Sequence, residues 1–179
     1  MPNNLVDRLI EQADQLAGTW KDTPGRPREV DLRRAVSASY YALFHEVTNL
    51  LARWLAPNLL EADQQRLRRH PSHGGIKRVC GWVINPGGAP IKLHFARSLA
   101  TIASGHSEIA NVAQVFLDLQ QHRHEADYDH LAVLTKEAVL TDIADAERAV
   151  ADLRTSLGTR EFEAFATLLA LCSSGRGDQ

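Results

Sequence analysis

The sequence predicts an all-α protein, an antiparallel up-and-down helical bundle with a short terminal helix. Apolar residues recur at three- and four-residue spacing through most of the 179 residues, and no run of alternating β-branched residues stands out. Prolines and glycines fall between the apolar stripes, and short connections between long amphipathic helices favour antiparallel neighbours. We expect one domain over residues 1–172 and a flexible tail over residues 173–179.

The first two helices are predicted from their apolar stripes and from the prolines that follow them. One helix should run from about Asn4 to Ala17, and its buried stripe should be Leu5, Leu9, Ala13 and Leu16. A longer helix should span Glu29–Leu55 and end before Pro57. Its apolar face comprises Val36, Tyr40, Leu43, Val47, Leu50 and Trp54.

The later helices are predicted in the same way. Short helices should form at Glu61–Arg69 and near Gly75–Trp82, and a long helix should cover His94 to about Glu125 with a bend near Gly105. Its inward residues should be Ile109, Val112, Phe116 and Leu119. Thr135 is a predicted N-cap for a last long helix that runs to Leu157 and turns its apolar side chains inward, namely Val139, Ile143, Ala146, Val150 and Leu153. Thr159 should cap a terminal helix through Leu171.

The composition argues against several classes of protein. The N-terminal stretch lacks the uninterrupted apolar block of a signal peptide, and no window reaches the roughly 18 apolar residues of a membrane span, so we expect a cytoplasmic protein that does not contact the membrane. Cys80 and Cys172 stand alone and far apart, which predicts neither a disulfide framework nor a metal site. The sequence contains no glycine-rich phosphate-binding loop, which argues against a nucleotide-hydrolysing enzyme. We also expect no cofactor.

The charge is distributed unevenly along a chain whose net charge is −2. No acidic residue occurs from Arg66 to Ser107, whereas thirteen acidic and six basic residues follow from Glu108 onward. One interpretation is an RNA-binding surface that uses Arg68, Arg69, Lys77 and Arg78. The alternative is a solvated basic segment that binds nothing.

Two segments carry a resemblance to a known family. The first is the Arg-Arg-Ala-Val-Ser-Ala-Ser-Tyr-Tyr-Ala-Leu-Phe-His sequence of residues 33–45, and the second is Arg-His-Glu-Ala-Asp-Tyr-Asp-His at residues 123–130. Together they resemble the second helix of the HEPN family and the Arg-x-x-Ala-Asp-Tyr signature of a later HEPN helix. With the helix order, the resemblance extends over roughly residues 5–157. It implies a helical module that handles nucleotides or RNA.

The resemblance implies a metal-independent endoribonuclease of the kind that serves as a toxin or a defence effector. HEPN nucleases are similar in having an Arg, a polar residue and then a His, and Arg123, His124 and His130 match that order at its longest spacing. By this resemblance Arg123 and His130 are the catalytic residues. The resemblance also implies a homodimer with a composite site. The family also has non-catalytic members. They imply the alternative of a module that binds nucleotide or RNA, or that partners a nucleotidyltransferase antitoxin. A purely structural helical dimer is a third possibility.

The chemistry of these two residues suits RNA cleavage. An imidazole can move a proton near neutral pH, and a guanidinium can bind the scissile phosphate during attack by the ribose 2′-hydroxyl. Seven residues of straight helix separate two side chains by roughly 10 Å along the axis, which is too far for one phosphate. Either the helix unwinds after Tyr128 or a second subunit supplies the partner. The structural alternatives are a salt bridge from Arg123 to Glu46 or Asp127, and an exposed loop position for His130.

Further residues are predicted to support the site. His124 belongs with His122 in a possible pH-sensitive pair, Asp127 could fix Arg34 or Arg123, and Tyr128 completes the signature. On the second helix, a polar stripe runs beside the apolar one through Arg34, Ser37, Ala38, Tyr41, His45 and Thr48. This stripe could line a cleft opposite Arg123, or Tyr41 and His45 could simply hydrogen-bond within the core.

Overall fold

The computed structural model describes residues 5–18, 27–88, 98–102 and 107–172. Within these ranges every regular element is helical, so the predicted all-α class is confirmed. The helices are α1 (Leu5–Leu16), α2 (Glu29–Leu55), α3 (Glu61–Arg68), α4 (His73–Ile84), α5 (Glu108–Tyr128), α6 (Lys136–Thr155) and α7 (Arg160–Cys172). A 3₁₀ turn covers Pro86–Gly88, and residues 98–102 are also helical. None of the described helices is long and apolar enough to cross a membrane.

Helix α2 lies at the centre of the bundle. It packs against α1, α3, α5, α6 and α7, and it buries residues on nearly every side of its axis. Tyr40 and Leu43 are fully buried among side chains that include Phe116 of α5 and Leu153 of α6. A helix surrounded in this way leaves few positions for polar side chains, so those that it carries need partners or a cleft.

Hydroxyl N-caps set the starts of four helices. The side chains of Ser72, Ser107, Thr135 and Thr159 each accept a hydrogen bond from the backbone N–H three residues later, at 3.0–3.2 Å. The predicted caps at Thr135 and Thr159 are therefore confirmed. Ser72 places the start of α4 at His73, earlier than the predicted Gly75.

The predicted continuous helix from His94 to Glu125 is wrong. Ser107 has extended backbone angles and caps a new helix, α5, which runs on to Tyr128. The predicted inward face of α5 is correct, since Ile109, Val112 and Phe116 are buried along with Leu119. The bend at Gly105 and the tail at 173–179 lie outside the described residues.

The predicted buried stripe of the first helix is also wrong in part. Val6, Ile10 and Ala13 are buried, whereas Leu5 is 54% exposed. Two neighbouring stripes of α1 are apolar, and the fold buries the one that includes Ala13 and Ala17. Leu9 and Leu16 of the predicted stripe are half-buried at the edge of the packed face.

A buried carboxylate joins three helices. Glu46 of α2 is 5% exposed and accepts hydrogen bonds from Arg154 of α6 at 2.9 and 3.3 Å. Arg154 also binds Asp7 of α1 at 3.0 Å. Glu46 is therefore not the partner of Arg123, and its burial is compensated by this network.

Arg33 of α2 fixes the end of α5. Its guanidinium donates hydrogen bonds to the backbone carbonyls of Ala126 at 2.7 Å, Asp129 at 2.9 Å and Ala132 at 3.0 Å. The last carbonyls of a helix have no partner within the helix, and a cation there also complements the helix dipole. Arg33 therefore determines where α5 stops and how the next turn leaves it.

We predict that Arg33→Met lowers the free energy of unfolding by about 2 kcal/mol, since charge-assisted hydrogen bonds contribute roughly 1.5–3 kcal/mol each before water replaces part of them. The neighbouring Arg34 is exposed and provides the matched control. Arg34→Met should change stability by less than about 0.5 kcal/mol. Urea unfolding of both variants tests this, and equal losses would contradict the clamp.

Candidate functional site

The polar side of α2 remains partly open to solvent although most of the helix is buried. Arg34, Ser37, Tyr41 and His45 are exposed or half-buried, and their spacing of three or four residues places them along one face. We refer to these four residues as the α2 stripe. Ala38 and Thr48, which were also predicted to belong to it, are buried, and Thr48 bonds the carbonyl of His45 at 3.1 Å.

Arg123 of α5 packs against this stripe between two aromatic rings. Its Cζ lies 5.2 Å from the ring centroid of Tyr41 and 5.5 Å from that of Tyr40. A guanidinium at this distance is attracted by the negative face of an aromatic ring, typically by about 0.5–2 kcal/mol. The two tyrosines of α2 therefore hold the Arg123 side chain near the helix pair.

A carboxylate also holds Arg123. Nε of Arg123 lies 2.9 Å from Oδ2 of Asp127, one turn later on α5, and the other oxygen of Asp127 accepts a hydrogen bond from Ser37 at 2.8 Å. The Nε contact is an ion pair whose N–H points away from the oxygen, so it is not a hydrogen bond. Of the two predicted partners of Asp127, Arg123 is the one observed.

The Nη groups of Arg123 keep their donors free, whereas Nε is buried without a hydrogen-bond partner. The guanidinium makes no hydrogen bond to any residue in the described ranges, although its side chain is only 21% exposed. A guanidinium carries five N–H donors in a rigid planar fork. The position of the Arg123 side chain is thus fixed, while its N–H groups form no hydrogen bond with a described residue.

His73 adds a second group from α4. Its Nδ1 lies 2.7 Å from the hydroxyl of Tyr40, and its ring stacks on Phe44 with a centroid separation of 3.9 Å. Burial lowers the pKa of His73, and the nearby charges of Arg123 and His45 lower it further. Both effects favour the neutral form of His73.

His45 contacts two of the aromatic residues that His73 also contacts, Tyr41 and Phe44. Its ring stacks with Tyr41 at 6.2 Å and meets Phe44 edge-on at 5.6 Å. Burial lowers the pKa of His45. Neither Tyr41 nor His45 forms a hydrogen bond with a described side chain, so the predicted alternative of core hydrogen bonding is not observed in these ranges.

Two clefts lie along the α2 stripe and share no lining residue. The arginine cleft, of about 460 Å³, opens over Arg123 and is lined by polar side chains that include Arg33, Arg34, Ser37, Tyr41 and Asp127. The histidine cleft, of about 870 Å³, opens over His45 and His73 and is lined also by Asn49, Arg53, Arg68 and Arg69. Tyr41 and His45 are successive members of the stripe, one in each cleft. Arg123 and His73 both contact Tyr40 and Tyr41, so these two rings connect the cation to the imidazole of the histidine cleft.

His130 does not join this site within one chain. It is exposed in the turn that follows α5, in a separate cleft of about 370 Å³ formed with Pro27, Glu29, Leu32 and residues 131–134. That cleft shares no residue with the arginine cleft. The helix does end after Tyr128, as one of the two predicted solutions required, but this does not bring His130 into the cleft of Arg123.

The other signature residues face outward. His124 and Tyr128 are exposed and lie against each other, with ring centroids 5.0 Å apart. His122 bonds Asp142 of α6 at 2.8 Å, so it does not pair with His124. The predicted pH-sensitive histidine pair is therefore wrong, because positions two residues apart on a helix point in different directions.

The predicted RNA-binding cations do not form one free surface. Arg68 pairs with Glu61 at 2.5 Å, and Arg78 donates to the backbone carbonyl of Cys172 at 2.8 Å. Arg69 and Lys77 are exposed. Arg68 and Arg69 line the histidine cleft, whereas the two α4 cations do not.

Sequence reasoning missed two members of the site. Tyr40 was assigned to the apolar face, and the predicted helix near Gly75–Trp82 did not include His73. The signal for His73 was the Ser72 cap directly before it, which makes His73 the first residue of a helix. Within the described ranges, no three His, Cys, Asp or Glu side chains are grouped so that they could hold a metal ion.

Comparison with known proteins identifies no relative: no protein-family model, curated protein or solved structure matches this chain.

We predict that Arg123→Met raises the pKa of His73 and leaves that of His45 nearly unchanged. The charge of Arg123 contributes to the lowered pKa of His73, whereas His45 owes its lowered pKa to burial alone. NMR titration of the imidazole carbons measures both values in one sample. Equal movement of the two histidines, or of neither, would contradict the arrangement, and Arg148→Met on the exposed side of α6 is the control.

Proposed function

We propose that this chain is an RNA-binding module of the HEPN type that cleaves RNA without a metal ion, and that Arg123 binds the scissile phosphate. The observation that supports this most strongly is the guanidinium of Arg123, which two aromatic rings and Asp127 hold in place while its Nη donors stay free. Arginine binds phosphate oxygens through its planar fork, often with two parallel hydrogen bonds.

The charges along the two clefts favour an anionic ligand. The exposed arginines Arg34, Arg53 and Arg69 form no ion pair with a described residue. The carboxylates nearby are already paired, Glu61 with Arg68 and Glu46 with Arg154. Unpaired cations along a groove attract the phosphate backbone through release of its counterions.

The ring of Tyr41 favours a single-stranded ligand. Tyr41 is half-buried and forms part of the arginine cleft. Unpaired bases stack on such rings, whereas the bases of a duplex are not available for stacking. A single-stranded RNA with one phosphate on Arg123 is therefore the ligand that these side chains suit best.

Cleavage would use the 2′-hydroxyl of the RNA as the nucleophile. Arg123 would stabilise the negative charge that develops on the phosphate, and an imidazole would move the proton. The products would be a 2′,3′-cyclic phosphate and a 5′-hydroxyl. By the HEPN resemblance that imidazole is His130, which would have to come from a second copy of the chain in a homodimer.

A non-catalytic binding module is the second candidate. The exposed position of His130, outside the cleft of Arg123, favours it. In that case the same clefts would bind RNA or a nucleotide without cleaving it, and the chain would act through a partner such as a nucleotidyltransferase. A role as a toxin or defence effector accompanies the catalytic proposal.

We predict that the purified protein cleaves single-stranded RNA in the presence of a chelator, and that Arg123→Met lowers the rate by about 10²–10³-fold, as loss of a transition-state donor commonly does. Arg148→Met replaces an exposed arginine of α6 that lines neither cleft and should match wild type. The measurement is cleavage of a fluorescently labelled oligonucleotide.

Two controls separate catalysis from folding and from contamination. Circular dichroism and urea unfolding must show that Arg123→Met retains the helical fold. If wild type and both variants lose RNA at the same trace rate, the activity is contamination, and cleavage is excluded. RNA binding by wild type in the same assay would then support the binding module.

A further inference from the structure

The imidazoles of His45 and His73 form a pair of proton-handling groups within a single chain. Both rings line the histidine cleft, and both contact the same two aromatic residues, Tyr41 and Phe44. Each histidine has at least one ring nitrogen that is neither hydrogen-bonded nor fully buried. These nitrogens are accessible to a molecule in the cleft.

Tyr40 and Phe44 hold the ring of His73 in place. For Nε2 to act as the base, Nδ1 must carry the ring proton, and the hydroxyl of Tyr40, 2.7 Å away, then accepts from Nδ1–H both before and after Nε2 gains a proton. The stack on Phe44 fixes the plane of the ring. Nε2 therefore keeps its direction through a proton transfer, and Tyr40 is a positioning residue for it.

The burial of Tyr40 suits this role. Its side chain is fully buried, and burial raises the pKa of its phenol. The hydroxyl therefore keeps its own proton at every pH at which the protein would work. It can orient His73 without becoming a competing base.

We propose that His73 and His45 are the general base and the general acid of RNA cleavage in this protein, acting in the same chain as Arg123. This inference rests on the proposed function and replaces the assignment of His130 from a second copy. Its substrate is a single RNA strand that crosses from the arginine cleft into the histidine cleft beside Tyr41.

The step balances without a cofactor. Nε2 of His73 takes the proton of the 2′-hydroxyl while the 2′-oxygen forms a bond to phosphorus. The bond from phosphorus to the 5′-oxygen breaks, and protonated His45 gives its ring proton to that oxygen. Arg123 binds the non-bridging oxygens, and exchange with water restores both imidazoles.

This assignment requires one neutral and one protonated imidazole at the same time. Because the pKa of each is held below 6.5, the fraction of molecules in that state is largest below pH 6.5. At RNA concentrations far below saturation, where the rate reflects the free protein, the rate of cleavage should therefore follow a bell-shaped curve with its maximum on the acid side of 6.5. A maximum at pH 7.5 or above would overturn the proposal without any mutation.

Variants provide the second test, in single-turnover cleavage with chelator present. His73→Asn and His45→Asn should each lower the rate by about 10²–10⁴-fold while RNA affinity stays within a few-fold of wild type. The exposed His70, which lines neither cleft, gives the matched control His70→Asn. Tyr40→Phe should change the pH profile more than the affinity, because it releases the ring of His73.

The outcomes distinguish this inference from the function on which it rests. Full activity in His73→Asn and His45→Asn with loss in His130→Asn would overturn the inference and leave RNA cleavage in place. If wild type binds RNA but never cleaves it between pH 5 and 8, both the inference and the cleavage proposal fail. If wild type does not bind RNA at all, the proposed function fails as a whole.

Discussion

The burial of α2 on nearly all sides is the constraint on which the rest of the structure depends. Polar groups inside a bundle are costly unless they are paired, so Glu46 binds Arg154, Ser37 binds Asp127 and Tyr40 contacts His73. These pairings join α2 to α4, α5 and α6. Arg34, Tyr41 and His45 form no hydrogen bond or ion pair with a described side chain, remain at the surface of the helix and line the two clefts together with Ser37.

The same pairings explain why Arg123 is available to a ligand. Asp127 uses one oxygen for Ser37 and offers the other to Arg123 in a poorly directed ion pair. The aromatic rings supply the remaining attraction, and they do so through their faces, without consuming N–H groups. Contacts with the face of the guanidinium therefore hold it in position, and its Nη–H groups remain available to a ligand.

Much of the fold could be predicted from the sequence because helix limits, caps and buried faces depend on residues that are close together along the chain. The α2 limits, the caps at Thr135 and Thr159, and the inward face of α5 follow from helical periodicity and from hydroxyl capping. The break at Ser107 was missed because no proline marks it. Arg123 and the α2 stripe were found from the sequence, whereas the pairing of Tyr40 with His73, 33 residues apart, depends on where the packing of α4 against α5 and α7 places the start of α4. No local pattern encodes that packing.

The most direct test of the central claim is whether Arg123 is the residue that meets the phosphate. The side-chain ¹⁵N–¹H signals of arginine can be followed by NMR while a single-stranded oligonucleotide, made uncleavable by 2′-deoxy substitution, is added. We expect the Nε–H signal of Arg123 to shift saturably together with the ring signals of Tyr41 and His73. Saturable shifts confined to other arginines, with Arg123 and Tyr41 unchanged at full occupancy, would contradict the account.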